Sequence, residues 1–128
     1  MNRLNLVTLG VKDMKESLRF YRDGLGFDVK VYGDESNPEV IFFNNNGTKI
    51  SLFPIENLAK DINEENPPTI GHGFGGITLA YNGKSKTEVD EVFQLAEKAG
   101  AKIVKKPETV FWVVIVAISK IQTTITGK

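Results

Sequence analysis

A strand and helix near the start of the chain, Leu4 to Phe27, are repeated by a second stretch, Ile77 to Ile103. A repeat of about 70 residues in a chain of 128 leaves room for two copies and little else, so each copy is half of one domain. In the first copy Val7-Thr8-Leu9-Gly10-Val11 alternates as a half-buried strand does, and Asp13-Met14-Lys15-Glu16 reads as a capping box opening an amphipathic helix. The second copy has the same parts in the same phase: Ile77-Thr78-Leu79-Ala80-Tyr81, then the capping box Ser85-Lys86-Thr87-Glu88. Both helices run into a glycine, Gly24 or Gly100, before the next strand.

Taken in order, Leu4 to Val11 is a strand with Val7, Leu9 and Val11 on the face that meets the helix, and Leu6, Thr8 and Gly10 on the other. The helix is expected from about Met14 to Asp23, followed by a strand over Phe27 to Tyr32 and a turn-rich stretch, Gly33 to Pro38. Val40-Ile41-Phe42-Phe43 and Lys49-Ile50-Ser51-Leu52-Phe53 form a hairpin around Asn44-Asn45-Asn46-Gly47, so module one is βαβββ. Pro54 to Gly73 reads as a linker with at most one helical turn, Leu58 to Asp61; its Glu56, Asp61, Glu64 and Glu65 read as a solvated face rather than a metal site. Module two starts at Phe74-Gly75-Gly76-Ile77, with a helix over about Lys86 to Ala99 whose Val89, Val92, Phe93 and Ala96 make one stripe, then the strand Ala101 to Val104. The boundaries are about 2–55 for module one, 56–73 for the linker and 74–128 for module two, in one domain spanning 1–128.

Composition excludes several classes. Sixteen basic residues balance sixteen acidic ones, so no net field draws the chain to nucleic acid or to an anionic membrane. The absence of cysteine removes disulfides, thiolate metal sites and a cysteine nucleophile, which suits a cytoplasmic location. The start of the chain lacks the pattern of a signal peptide, and the longest apolar run, Val110 to Ile118, is far shorter than a membrane span of about 20 residues.

These modules resemble the vicinal oxygen chelate superfamily, which includes glyoxalase I, extradiol dioxygenases, and bleomycin- and fosfomycin-resistance proteins. The residues that carry the resemblance are Thr8-Leu9-Gly10-Val11-Lys12-Asp13, Ser17-Leu18-Arg19-Phe20-Tyr21 and Leu25-Gly26-Phe27. In the second half they are Ile77-Thr78-Leu79-Ala80-Tyr81-Asn82, Val89-Asp90, Ala99-Gly100-Ala101 and Phe111-Trp112. The resemblance implies an α+β fold, two βαβββ modules forming a curved mixed sheet around a cleft with the helices outside, and commonly a homodimer. It also implies a cleft in which metalloenzymes of the family hold a divalent ion with His or Glu from four strands. By the same resemblance the first three ligand positions fall on Leu6, Ser51 and Gly76, none of which suits a metal. The expected cleft is then lined by Leu6, Thr8, Ser51, Phe53, Gly76, Thr78, Ala80 and Trp112, a mostly apolar cup with a few hydroxyls that suits a small organic molecule.

Residues outside that set have plainer readings. His72, the only histidine, sits in a glycine-rich stretch and reads as an exposed loop residue rather than a ligand or base. Gly71, Gly73, Gly75 and Gly76 precede a strand, whereas a phosphate-binding loop follows a strand and opens a helix. Trp112 reads either as core or as a ligand-stacking aromatic, and Tyr81 as core.

The resemblance stops after Trp112. Relatives continue with a phrase like G-G-Y-S-G-Y-F-x-D-P-D-G-x-x-W-E, which supplies two strands and the fourth ligand position; residues 113–128 here read V-V-I-V-A-I-S-K-I-Q-T-T-I-T-G-K. A frameshift is the expected cause of the departure. One G inserted after the Trp112 codon regroups the following codons as GGT, NGT, NAT, HGT, NGC, NAT, HTC, NAA, RAT and HCA, which can spell G-G-Y-S-G-Y-F-K-D-P. The rest become RAC, NAC, NAT, HAC, NGG and NAA, which can spell D-N-Y-Y-W-E. In the present frame, Val113 to Ile118 is β-branched enough to take the place of the strand it replaces, and Ile121 to Thr126 can either pair or fray.

The function expected from these readings is a metal-free binder of a small, partly apolar organic molecule, without a cofactor. The alternative is a divalent-metal-dependent lyase or dioxygenase of the glyoxalase type, which needs other ligands, such as His72 with linker carboxylates. A scaffold with an empty cleft is a third class. Resequencing the gene is expected to return the extra base after the Trp112 codon; close relatives that read uninterrupted through the present tail would overturn the frameshift.

Overall fold

The computed structural model describes residues 2–73, 75–105, 112–118 and 121–127, with side chains described for 2–73, 75–81 and 83–101. Two compact units divide between Gly71 and His72. The first contains β1 (Leu6–Val11), α1 (Met14–Leu18) continued by a π-helical segment (Arg19–Gly24), β2 (Val29–Asp34), β3 (Asn37–Phe43), β4 (Lys49–Pro54) and α2 (Ile55–Ile62). The second contains β5 (Thr78–Gly83), α3 (Lys86–Lys98), β6 (Lys102–Lys105), β7 (Trp112–Ile118) and β8 (Ile121–Gly127). The fold class is α+β, as the sequence leads one to expect, and each unit carries the βαβββ order.

The two sheets have one topology. Each has four strands, ordered β1-β4-β3-β2 and β5-β8-β7-β6. In each, the first strand pairs in parallel with the last, and the remaining pairs are antiparallel. A parallel pair needs a long crossover, which the helix and two intervening strands supply.

In the first unit the helical segment packs on β3 and β4. It buries Met14, Leu18, Phe20 and Tyr21 over Leu9, Val11, Ile41, Phe43 and Leu52. The Asp13 side chain caps α1 by accepting from the Glu16 N–H at 3.0 Å. A single α-helix to Asp23 was the sequence expectation; instead the winding widens after Leu18, and the Leu25 N–H reaches back five residues to the Phe20 carbonyl at 2.9 Å. The wider turn accommodates adjacent buried rings. Tyr21 packs edge-on to Phe20 at 5.1 Å and to Phe43 at 5.2 Å, while Phe27 lies 5.3 Å from Phe43.

That packing also corrects the expected second strand, which begins at Val29 rather than Phe27. The Phe27 N–H is taken by the Tyr21 carbonyl at 3.0 Å, so this residue belongs to the helix exit. The expected turn of Gly33 to Pro38 shortens to Glu35-Ser36, because Asp34 Oδ1 accepts from both the Ser36 N–H at 2.8 Å and its hydroxyl at 2.6 Å. Gly33, at φ +87°, takes the register shift between Tyr32 and Gly33.

The single turn expected in the linker is an eight-residue helix, α2, packed on β1 and β4. Ile55, Leu58, Ala59 and Ile62 recur at helical spacing, and Pro54 stands at the N-cap. A Cβ at Gly10 would lie 2.8 Å from Ile55 Cγ1, so the start of α2 sits directly on β1 at that position.

In the second unit the Ser85 hydroxyl accepts from the Glu88 N–H at 3.2 Å, and α3 buries Val89, Phe93 and Ala96. The helix ends at Gly100, φ +97°, where the Ala101 N–H returns to the Ala96 carbonyl at 2.9 Å. The tail runs as expected through β7, and the segment from Ile121 pairs rather than frays, lying parallel to β5 as β8. Among the described residues no helix is long and apolar enough to cross a membrane.

Asp13→Ala is expected to cost about 1 kcal/mol through the lost cap, and Leu52→Ala about 2–5 kcal/mol through the cavity left in the module-one core. Urea midpoints of the two variants should therefore fall in that order.

Candidate functional site

The helix of the first unit covers one face of its sheet, and strand register defines the other. Residues paired across neighbouring strands point to the same side. Thr8 pairs with Ser51, Ser51 with Phe42, and Phe42 with Lys30, so these four form one row across all four strands. Gly10, Phe53, Val40 and Tyr32 lie on the same side by alternation, as do Leu6 and Lys49 nearer the other end.

The row has a polar end and a cationic end. Thr8 Oγ1 and Ser51 Oγ share a hydrogen bond of 2.9 Å, in which either hydroxyl can donate. Ser51 is 2 % exposed, flanked in register by Thr8 and Phe42. The Tyr32 and Phe42 rings meet edge-on at 5.5 Å, and Lys30 Nζ stands 5.1 Å from the centre of the Tyr32 ring. Phe42 and Phe53 are half-buried, Leu6 is exposed, and Ile55 closes the face over Gly10.

In the second unit, Tyr81 donates its phenol proton to Glu88 Oε1 at 2.6 Å, and Glu88 Oε2 accepts from the Lys84 N–H at 2.9 Å. The phenol and then the backbone N–H hold the Glu88 carboxyl below its ordinary range, while the same carboxylate raises the Tyr81 phenol. Tyr81 is thus half-buried and committed to α3, and Thr78 and Ala80 occupy the opposite, exposed side of β5. Gly76 corrects an expectation: the strand starts at Thr78, and Gly76 precedes it at φ +76°, outside any strand alternation. Trp112 begins β7, its backbone paired with Gly127, and its side chain lies outside the described residues. His72 is exposed.

The three residues at which the resemblance places family ligands, Leu6, Ser51 and Gly76, do not suit a metal. Leu6 offers hydrocarbon, Gly76 has no side chain, and the Ser51 hydroxyl is engaged with Thr8. Among the described residues no three His, Asp or Glu side chains gather into a possible metal-binding group.

Lys30, Tyr32, Val40 and Phe42 are missing from the cleft residues that the sequence suggests. Val40-Ile41-Phe42-Phe43 is apolar on both faces and so hides its phase; the pairing of Phe42 with Ser51 resolves it.

The chain belongs to the Glyoxalase/Bleomycin resistance protein/Dioxygenase superfamily, whose family model matches residues 3–124. It is 30% identical over 105 residues to the uncharacterized protein YraH of Bacillus subtilis (strain 168), a match covering 82% of this chain and 78% of that protein. A glyoxalase-related enzyme from Fulvimarina pelagi shares its fold with a TM-score of 0.82 at 24% identity, covering 100% of this chain and 89% of that one. A lactoylglutathione lyase from Agrobacterium tumefaciens does so with a TM-score of 0.71 at 16% identity, covering 99% and 94%.

Replacing Ser51 by Ala strands the half-buried Thr8 hydroxyl and is expected to cost about 1 kcal/mol. The Thr8→Val/Ser51→Ala pair should cost less than the sum of the single changes, which a double-mutant cycle by chemical denaturation measures.

Proposed function

We propose that this chain is a metal-free binder of a small, partly apolar organic molecule, in the manner of the sequestering members of its superfamily. The observation that carries this reading is the Thr8–Ser51 hydroxyl pair beside Phe42 and Phe53 on the sheet face turned from the helix. Such a surface offers a ligand apolar contact together with a directional polar anchor. Leu6 and Gly76 offer no donor where metalloenzymes of the superfamily place their ligands, which supports the absence of a metal cofactor.

The second reading, a divalent-metal-dependent lyase or dioxygenase, draws on the structural likeness to a lactoylglutathione lyase. It requires ligands at positions other than Leu6, Ser51 and Gly76. A homodimer is the assembly that the family resemblance favours for either reading.

A melting-temperature screen of small hydrophobic and aromatic compounds on chelator-treated protein tests the proposal. A ligand at a hundred times its Kd stabilises the folded state by about 2.7 kcal/mol, enough to raise the melting temperature measurably. A stoichiometric divalent ion in the purified protein would overturn the metal-free reading.

A further inference from the structure

Resting on the reading above, we propose that the ligand class is a planar aromatic carboxylate, its ring laid on Phe42 and its anion held by Lys30. The register sets this order of groups. From β1 to β2 the row runs hydroxyl, hydroxyl, aromatic ring, ammonium: Thr8, Ser51, Phe42, Lys30. Adjacent strands lie about 4.8 Å apart, so the row spans roughly 14 Å, room for a ligand of one or two fused rings with a polar group at either end. Phe53 and Val40 flank the middle of the row, where an apolar ring system belongs.

Charge complementarity selects an anion. Arg19 and Arg22, on the helical side of this unit, are already matched to Glu16, Asp23 and Glu35. Lys49, on the ligand face, donates to the Asn45 carbonyl at 2.7 Å. Lys30 differs: among the described residues no carboxylate pairs with it, and its ammonium rests against the Tyr32 ring. A cation held beside an aromatic face is positioned for a carboxylate whose own ring continues the stack. At the other end the two hydroxyls share one hydrogen bond, which leaves one O–H to donate to a ligand oxygen.

The test uses the full chain with 2-naphthoate and its neutral counterpart 2-naphthamide as probes, titrated by intrinsic fluorescence at fixed ionic strength. The acid is expected to bind more tightly than the amide, and Lys30→Gln should weaken the acid about tenfold while leaving the amide unchanged. Lys30→Arg should restore the acid. Lys30 is exposed, so these variants should keep the parent melting temperature, which is checked alongside. Equal affinity of the parent and Lys30→Gln proteins for the acid, or equal affinity of the parent for acid and amide, overturns the proposal. If neither probe binds but an uncharged aliphatic compound raises the melting temperature, the aromatic-carboxylate class falls while the binder reading stands. If no compound binds and a stoichiometric metal is found, both fall.

Discussion

Each module depends on a helix burying one side of a four-stranded sheet. In the first, Leu9, Ile41 and Leu52 are almost wholly removed from water beneath Leu18, Phe20 and Tyr21. Because side chains alternate along a strand, that burial also decides what the other side presents. A one-residue slip of β1 against β4 would exchange Thr8 for Leu9 opposite Ser51, exposing core residues and dismantling the hydroxyl pair together. The hydrophobic core and the candidate ligand face are consequences of one register.

The features legible in the sequence were those carried by local chemistry. Asp13 and Ser85 accept from the N–H groups of Glu16 and Glu88, as their spacing indicates, and α3 spans Lys86–Lys98 against an expected end at Ala99. The phrase from Phe20 to Phe27 also has a physical reason, since Tyr21 and Phe27 both meet Phe43 from a strand far along the chain. What escaped was set by tertiary contacts. The π-helical turn after Leu18 follows from burying two adjacent rings, and the extent of α2 from packing on β1 and β4. Gly76 was placed through the family resemblance of Gly75-Gly76-Ile77, and it lies two residues before the observed start of β5. Lys30 and Phe42 required the pairing of three strands, which no local pattern encodes.

The candidate site also separates what the scaffold needs from what its chemistry needs. Backbone pairing places few demands on side-chain identity, so β1 and β4 keep their parallel register with leucine and serine at the positions that the resemblance implies for the family's ligands. The same tolerance operates in the second unit. Residues 113–128 differ from the family phrase throughout, yet their valine, isoleucine and threonine content sustains β7 and β8 in the expected order.

The tail and the metal question are therefore independent. After Trp112 the chain contains no aspartate, glutamate or histidine, so the present frame supplies no ligand of those types at the fourth position. Under the expected frameshift, one base added after that codon can give a carboxylate in a closing W-E phrase, and with it one hard donor. Leu6, Ser51 and Gly76 precede Trp112 and would be the same in either frame. One carboxylate added to a set that offers a hydrocarbon, a committed hydroxyl and a glycine would still fall short of the three or four protein donors that hold a divalent ion such as zinc. The proposed metal-free reading thus rests on Leu6, Ser51 and Gly76, and the reading frame of the tail does not decide it.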